Sequence, residues 1–196
     1  MSTRPRTVLL GGVPGVLKTS TAIRLAATGG FHALTSTDDL REALRLSSPD
    51  PFLEGVSHTR YELLGEYTPE RLFQGFRRQA ELLCPAVRAV VSRAQARGCD
   101  CVVEDVHLLP SLYADLDALL VVLVERDFER LQRRLEAKFP DRPALAARFD
   151  EQKLTQLLEL QMRIERDARQ QGATVWETTD AEGNSRSLQS LSWWLR

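Results

Sequence analysis

Residues 8–23, VLLGGVPGVLKTSTAI, decide the fold of this chain. A short apolar strand runs into glycines, and a lysine, two hydroxyl residues and a helical pattern follow. This is the order of a phosphate-binding loop, in which backbone N–H groups and a helix N-terminus hold an anion. In the pattern G-x-x-x-x-G-K-[ST], Gly12, Lys18 and Thr19 match, while Leu17 stands where the second glycine is expected.

Leu17 leaves three interpretations open: a nucleotide site with a defect, a tolerated variant, or an ordinary strand–turn–helix connection. A side chain here intrudes on space that the backbone needs near a phosphate. The strand before the loop, the paired glycines and the Lys-Thr-Ser triplet favour a nucleotide loop. We therefore predict that ATP binds to Gly12, Val13, Pro14, Gly15, Val16, Leu17, Lys18, Thr19 and Ser20.

The composition indicates one domain over residues 1–196, as a monomer or homodimer. The net charge of −1 gives no basic field for nucleic acid or a membrane. Three cysteines without a framework spacing suggest reduced thiols, and no apolar run is long enough for a leader or a membrane span. These features predict a cytoplasmic protein.

Strand-like and helix-like segments alternate along the chain. Apolar or alternating runs predict strands at 7–10, 32–37, 101–106, 119–125 and 173–178. Helical spacing predicts helices at 18–27, 69–97, 127–138, 151–171 and 188–195, and a further helix that begins at Asp38 or Asp39. Pro85 would kink or break the helix at 69–97. The pattern predicts an α/β fold: a three-layer α/β/α sandwich around a central parallel five-stranded sheet. Ligands bind such sheets at the carboxyl ends of the strands.

The second strand ends in TSTDDLRE, residues 35–42. In a phosphoryl transferase this edge faces the acceptor, where Asp38 would orient the attacking hydroxyl and Arg41 would bind an anionic substrate. The alternative is a capped surface helix with both side chains in water.

The third strand ends in CVVEDVHLLP, residues 101–110, which resembles a Walker B element. Glu104 is the candidate for holding Mg²⁺ together with Thr19. His107 follows in the loop, where it would contact a substrate phosphate or serve as a hydrogen-bonded loop histidine.

Residues 126–150 are rich in arginine and form a candidate lid. Lid arginines neutralise charge on a transferred phosphoryl group, and Arg134 joins Lys18 and Asp38 as a catalytic candidate. Helical pairs such as Glu129–Arg133 fit a solvated face instead. A nucleic-acid surface is disfavoured because no aromatic residues are interleaved with the arginines.

Together these motifs resemble those of archaeal-type 2-phosphoglycerate kinases, within the nucleotide-kinase-like P-loop enzymes. The likeness rests on the phosphate loop, on STDDLREALR, similar to S-T-D-x-[IL]-R-E-x-[LM]-R, and on VVEDVHLLP, similar to I-E-G-V-H-L-x-P. It extends over roughly residues 7 to 180. The chain departs from the family at Leu17 and at Asp105, which replaces a glycine.

The resemblance implies a P-loop kinase that transfers the γ-phosphate of ATP to the 3-hydroxyl of 2-phosphoglycerate with Mg²⁺. It places Lys18 and Thr19 at ATP and the metal, and Glu104 at the metal. It places Asp38 at the acceptor hydroxyl, with Arg41 and His107 in the substrate pocket. Arg134 would belong to the lid. The competing hypothesis is a degenerate P-loop protein that binds nucleotide or regulates without catalysis.

Overall fold

The computed structural model describes residues 4–54, 58–138 and 150–178. The strands in these ranges are β1 (Thr7–Gly11), β2 (Ala33–Ser36), β3 (Cys101–Glu104), β4 (Leu119–Val124) and β5 (Thr174–Glu177). The helices are α1 (Lys18–Gly29), α2 (Thr37–Ser47), α3 (Pro69–Ala96), α4 (Phe128–Ala137) and α5 (Glu151–Gln170), with short 3₁₀ turns at Tyr61–Leu64 and Pro110–Leu112.

The five strands form one sheet in the order β2-β3-β1-β4-β5, and every neighbouring pair is parallel. Glu104 is in register with Leu10 on one side and with Ser36 on the other, and Gly11 is in register with Val122. The carboxyl ends of β1, β2 and β3 therefore lie at one level. The predicted five-stranded parallel sheet is confirmed.

Helices cover both faces of the sheet because the side chains of β1 alternate. Val8 and Leu10 pack in one apolar cluster with Leu25 of α1. Leu9 packs in a second cluster with Val87 and other residues of α3. Successive strand residues point to opposite faces, so these two clusters define the three layers that the sequence predicts.

The bounds of some helices and strands differ slightly from those that the sequence predicts. Helix α2 begins at Thr37, one residue before the predicted Asp38 or Asp39, because the Ser36 hydroxyl accepts from the Asp38 amide at 3.3 Å. Strand β3 ends at Glu104 instead of at residue 106. Helix α3 continues through Pro85 for 28 residues, so the proline does not split it.

Two predictions fall outside the described residues. One is the second half of the arginine-rich segment, at 139–149, and the other is the closing helix at 188–195. Among the described helices, none combines the length and the apolar character needed to cross a membrane.

Candidate active site

The glycines of the loop after β1 allow close packing against neighbouring elements. Gly12 has a φ of 137°, and a Cβ there would lie 2.4 Å from the carbonyl oxygen of Leu123. Gly15 has a φ of 87°, and a Cβ there would lie 2.7 Å from a methyl group of Leu131 on α4. A side chain at Gly12 would collide with backbone, and one at Gly15 would be strained by the positive φ, so both positions favour glycine.

Leu17 has the backbone conformation that a glycine would adopt. Its φ of 63° and ψ of 26° lie in the left-handed region, and it is the N-cap residue of α1. Its carbonyl oxygen accepts from the Thr21 amide at 2.9 Å, which starts the helix. A non-glycine residue in this region costs about 1–2 kcal/mol. The loop thus keeps the path of a phosphate-binding loop despite the leucine.

Most amides of this loop have no backbone partner and can bind an anion. In the described part of the chain, no backbone hydrogen bond is made by the amide of Gly15 or by those from Leu17 to Ser20, and the Thr21 amide is the first of α1 to donate to a carbonyl. Successive free amides at the start of a helix attract phosphate by hydrogen bonding and through the helix dipole. The donor set therefore fits the phosphates of a nucleotide.

Lys18 is buried and folded back on the same loop. Its Nζ donates to the carbonyl oxygen of Val13 at 2.9 Å. Burial lowers the pKa of Lys18 to about 8, although the charges of Asp105 and Glu104 oppose this shift. A bound polyphosphate would add negative charge beside the ammonium group and raise that pKa again.

Thr19 and Glu104 meet where the sequence predicts a metal site. The Thr19 hydroxyl donates to Oε1 of Glu104 at 3.0 Å, and burial raises the pKa of that carboxyl. In the described ranges no group of three or more His, Cys, Asp or Glu side chains is arranged to hold a metal. One hydroxyl and one carboxylate still fit Mg²⁺, which keeps several waters and takes its other ligands from substrate phosphates.

Asp38 and Arg41 lie one turn apart at the start of α2. An Nη2 atom of Arg41 is 3.4 Å from Oδ1 of Asp38, and Asp38 is about half exposed while Arg41 is buried. Two other nitrogens of Arg41, Nε and Nη1, are buried without a hydrogen-bond partner among the described residues. Arg41 is therefore a poor fit to a solvated surface helix and a good fit to an anion site.

His107 is buried, and both of its ring nitrogens face oxygens. Nδ1 lies 3.1 Å from Oδ2 of Asp105, and Nε2 lies 3.1 Å from the carbonyl oxygen of His58. Both partners are hydrogen-bond acceptors, so both ring nitrogens face oxygen atoms that can accept from them. Thr37 also hydrogen-bonds to Asp105. The predicted substrate contact of His107 has no free ring nitrogen in this arrangement, and it stays a prediction.

Asp105 remains charged in spite of its burial. Burial alone would raise the pKa of Asp105, but the charge and hydrogen bond of His107, with the charge of Lys18, lower it to about 2. The sequence marks Asp105 only as a departure from a glycine. The structure shows that its charge is matched internally.

Arg134 of α4 lies at the carboxyl end of β4. Its Nη1 is 2.8 Å from the buried carboxylate of Glu125 and 3.2 Å from the Thr178 hydroxyl. Burial lowers the pKa of Arg134, and the Glu125 charge opposes that shift. Arg126 pairs with Glu165. Arginines of the described part of this segment thus form ion pairs with carboxylates of the same chain.

The structure brings most predicted site residues to one edge of the sheet, with Arg134 at the β4 side of it. Sequence reasoning missed His58, which follows a Pro- and Gly-containing loop and has no motif of its own. It also missed the ion pair between the buried Glu125 and the partly buried Arg134, because a Glu and an Arg nine residues apart give no sign that they meet.

Taken together, the sheet order and the phosphate loop define a P-loop kinase fold. A solved shikimate kinase from Acinetobacter baumannii, in complex with shikimate, superposes with a TM-score of 0.59 at 18% sequence identity. The match covers 99% of this chain and 94% of that chain. At this identity the likeness shows the fold, and the predicted fold class is confirmed.

More particularly, the sequence is similar to archaeal 2-phosphoglycerate kinases, as its motifs indicate. It is 28% identical over 188 residues to that of Pyrococcus furiosus and 31% identical over 115 residues to that of Methanocaldococcus jannaschii. These alignments cover 91% and 57% of this chain but 61% and 37% of those proteins. Mevalonate-3-phosphate 5-kinase from Thermoplasma acidophilum is 29% identical over 135 residues, 67% of each chain. No family model matches the chain.

Proposed function

We propose that this protein is an ATP-dependent small-molecule kinase that phosphorylates a hydroxyl group of an anionic acceptor, with 2-phosphoglycerate as the first candidate. The observation that carries the proposal is the left-handed backbone at Leu17, which preserves the path of the phosphate loop. Loop amides that have no backbone partner among the described residues, and the similarity to several small-molecule kinases, support it.

The residues of the loop would hold the nucleotide. Backbone N–H groups between Val13 and Thr19, of which Pro14 has none, would bind phosphate oxygens, and Lys18 would leave the Val13 carbonyl to neutralise phosphate charge. Mg²⁺-ATP, when bound, supplies the phosphoryl group and the metal charge that stabilises its transfer. Thr19 and Glu104 are the residues that would hold the magnesium ion.

The residues at the end of β2 would hold the acceptor. Asp38 would orient the attacking hydroxyl and accept its proton, and Arg41 would bind the acceptor's anionic group. Arg134 and the rest of 126–150 would form the lid, within a single domain that spans residues 1–196. A magnesium requirement and a cytoplasmic location remain predictions of the sequence.

Lys18→Met tests the proposal, with Lys153→Met as a matched control on α5. ADP release is measured with Mg²⁺-ATP and, in turn, 2-phosphoglycerate, mevalonate 3-phosphate and shikimate. We expect acceptor-dependent turnover that Lys18→Met lowers at least about 100-fold, since it removes a charge at the transferring phosphate, and that Lys153→Met preserves.

Calorimetry with Mg²⁺-ATP separates the kinase from a protein that only binds nucleotide. Binding without turnover of any acceptor would favour the regulatory module. No detectable binding at millimolar nucleotide would remove the phosphate loop from the function altogether.

A further inference from the structure

The segment from His58 to Arg60 packs tightly on α3, close to the proposed acceptor pocket. Gly75 of α3 faces this segment, and a Cβ there would lie 1.9 Å from the carbonyl oxygen of Thr59. Such an overlap is with backbone, which a small shift of a side chain does not relieve. Gly75 therefore allows an approach that no other residue permits.

His107 fixes the same segment from the other side. Its Nε2 contacts the His58 carbonyl oxygen at 3.1 Å, and the two imidazole rings lie 5.6 Å apart. The ring of His107 also stacks on Phe76, with centroids 5.6 Å apart. The backbone of His58 is thus held by a residue that Asp105 itself anchors.

With its backbone fixed in this way, the His58 side chain presents an unsatisfied polar atom. Nδ1 of His58 is buried and has no hydrogen-bond partner among the described residues. The same is true of Nε and Nη1 of Arg41. Each such atom lowers stability while it stays unpaired, because it has lost its hydrogen bonds to water. Folded proteins rarely leave buried polar atoms unpaired, and a bound ligand is one explanation when they do.

Cationic side chains lie near His58 together with the charged Asp105, which already contacts His107, and they indicate the chemistry of the missing partner. The pKa of His58 is lowered to about 3, chiefly by burial and also by the charges of His107, Arg41 and Lys18, while the charge of Asp105 opposes this shift. The imidazole is therefore neutral, with one N–H to donate. Arg41 offers only donors. A partner shared by both residues must accept hydrogen bonds, and the cations around it favour an anion.

We propose that His58 is an acceptor-binding residue, which donates from Nδ1 to the same carboxylate or phosphate group that Arg41 binds. This inference rests on the proposed function for the identity of the acceptor. Asp105 and His107 act as positioning residues that hold the His58 segment in place. His58 would thus contribute to substrate specificity without carrying a charge of its own.

Two substitutions at His58 test this assignment. His58→Asn keeps an N–H group near the position of Nδ1, whereas His58→Leu removes it at similar volume. With the acceptor that supports turnover, we expect His58→Leu to raise the acceptor KM about 10- to 100-fold, the range for a hydrogen bond to a charged group. We expect His58→Asn to stay within about threefold of the natural protein, and the KM for Mg²⁺-ATP to change in neither variant. Equal acceptor KM values in the leucine variant and the natural protein would overturn the inference.

A second measurement does not depend on catalysis or on the folding of a variant. Side-chain ¹⁵N NMR of His58 in the natural protein is followed during titration with inorganic phosphate and, separately, with 2-phosphoglycerate. We expect at least one of these anions to shift the Nδ1 resonance. A resonance that neither anion moves would overturn the inference. Absence of ADP release with every acceptor would overturn the proposed function alone, because the NMR result still decides the role of His58.

Discussion

Replacing Leu17 by glycine tests whether the phosphate loop works with its natural residue. The left-handed backbone at Leu17 costs about 1–2 kcal/mol, which Leu17→Gly recovers. Glycine opposes this gain, because its greater backbone entropy in the unfolded chain lowers the stability of the folded protein by about 0.5–1 kcal/mol. Removing a half-buried leucine side chain costs roughly another 1 kcal/mol. These contributions nearly cancel, so we expect the free energy of unfolding to change by less than about 1 kcal/mol.

The same structure predicts a small effect on nucleotide binding. Because Leu17 already has the conformation of a glycine, Leu17→Gly does not need to rebuild the loop. We expect the Kd for Mg²⁺-ATP, measured by calorimetry, to change by less than about fivefold, or just under 1 kcal/mol. An affinity gain of 100-fold would refute this reasoning, since it would mean that the leucine side chain obstructs the site.

Leu17→Val and Leu17→Asn provide the matched controls. Valine is apolar like leucine, but its branched Cβ is strongly disfavoured in the left-handed region, so we expect it to lose about 1–3 kcal/mol of stability and to weaken nucleotide binding. Asparagine tolerates this region and should behave like the natural residue. Equal stability of the valine and asparagine variants would contradict the assigned backbone conformation.

Three further predictions follow from packing and charge. Gly75→Ala places a methyl group against backbone, so we expect a loss of about 1–3 kcal/mol in urea unfolding and a higher acceptor KM; unchanged values would show that this contact is absent. The pKa of His58 is about 3 in the folded protein and 6.5 in the unfolded chain, so the unfolded chain binds more protons between these two pH values. We therefore expect the free energy of unfolding to fall as the pH drops from 7.5 to 5, by at most about 1.4 kcal/mol per pH unit. The fall should be less steep in His58→Asn. Arg134→Ala leaves the buried Glu125 carboxylate with a weaker partner, so we expect a loss of about 3 kcal/mol in thermal or urea unfolding, whereas Arg133→Ala on the exposed face of α4 should have little effect.

Much of the site was predictable because local motifs and strand ends coincide. The apolar strand before the loop, its glycines and the Lys18-Thr19 pair indicate the phosphate loop, and Glu104 stands at the end of an apolar run that is typical of a central strand. Parallel strands bring their carboxyl ends to one edge, so Asp38 and Glu104 were expected to share that edge with the loop. The register between Ser36 and Glu104 agrees with this expectation.

Contacts between segments far apart in the chain were not predictable. His58 and His107 are 49 residues apart, and their contact depends on Gly75 admitting the backbone of residue 59. Periodicity and spacing describe residues that are close along the chain, and they do not show which loop will pack against a given helix.

By itself, the sequence determined the class of fold, the place of the phosphate loop and the edge at which a ligand would bind. These follow from hydrophobic period, glycine position and the geometry of parallel strands, which are local properties. The tertiary structure was needed to show that Leu17 adopts the glycine conformation, that Nδ1 of His107 contacts Asp105, and that Arg41 and His58 have buried nitrogens without a hydrogen-bond partner among the described residues. Those outcomes depend on burial and on partners brought together by packing, because the cost of an unpaired charge or polar atom exists only once water has been excluded.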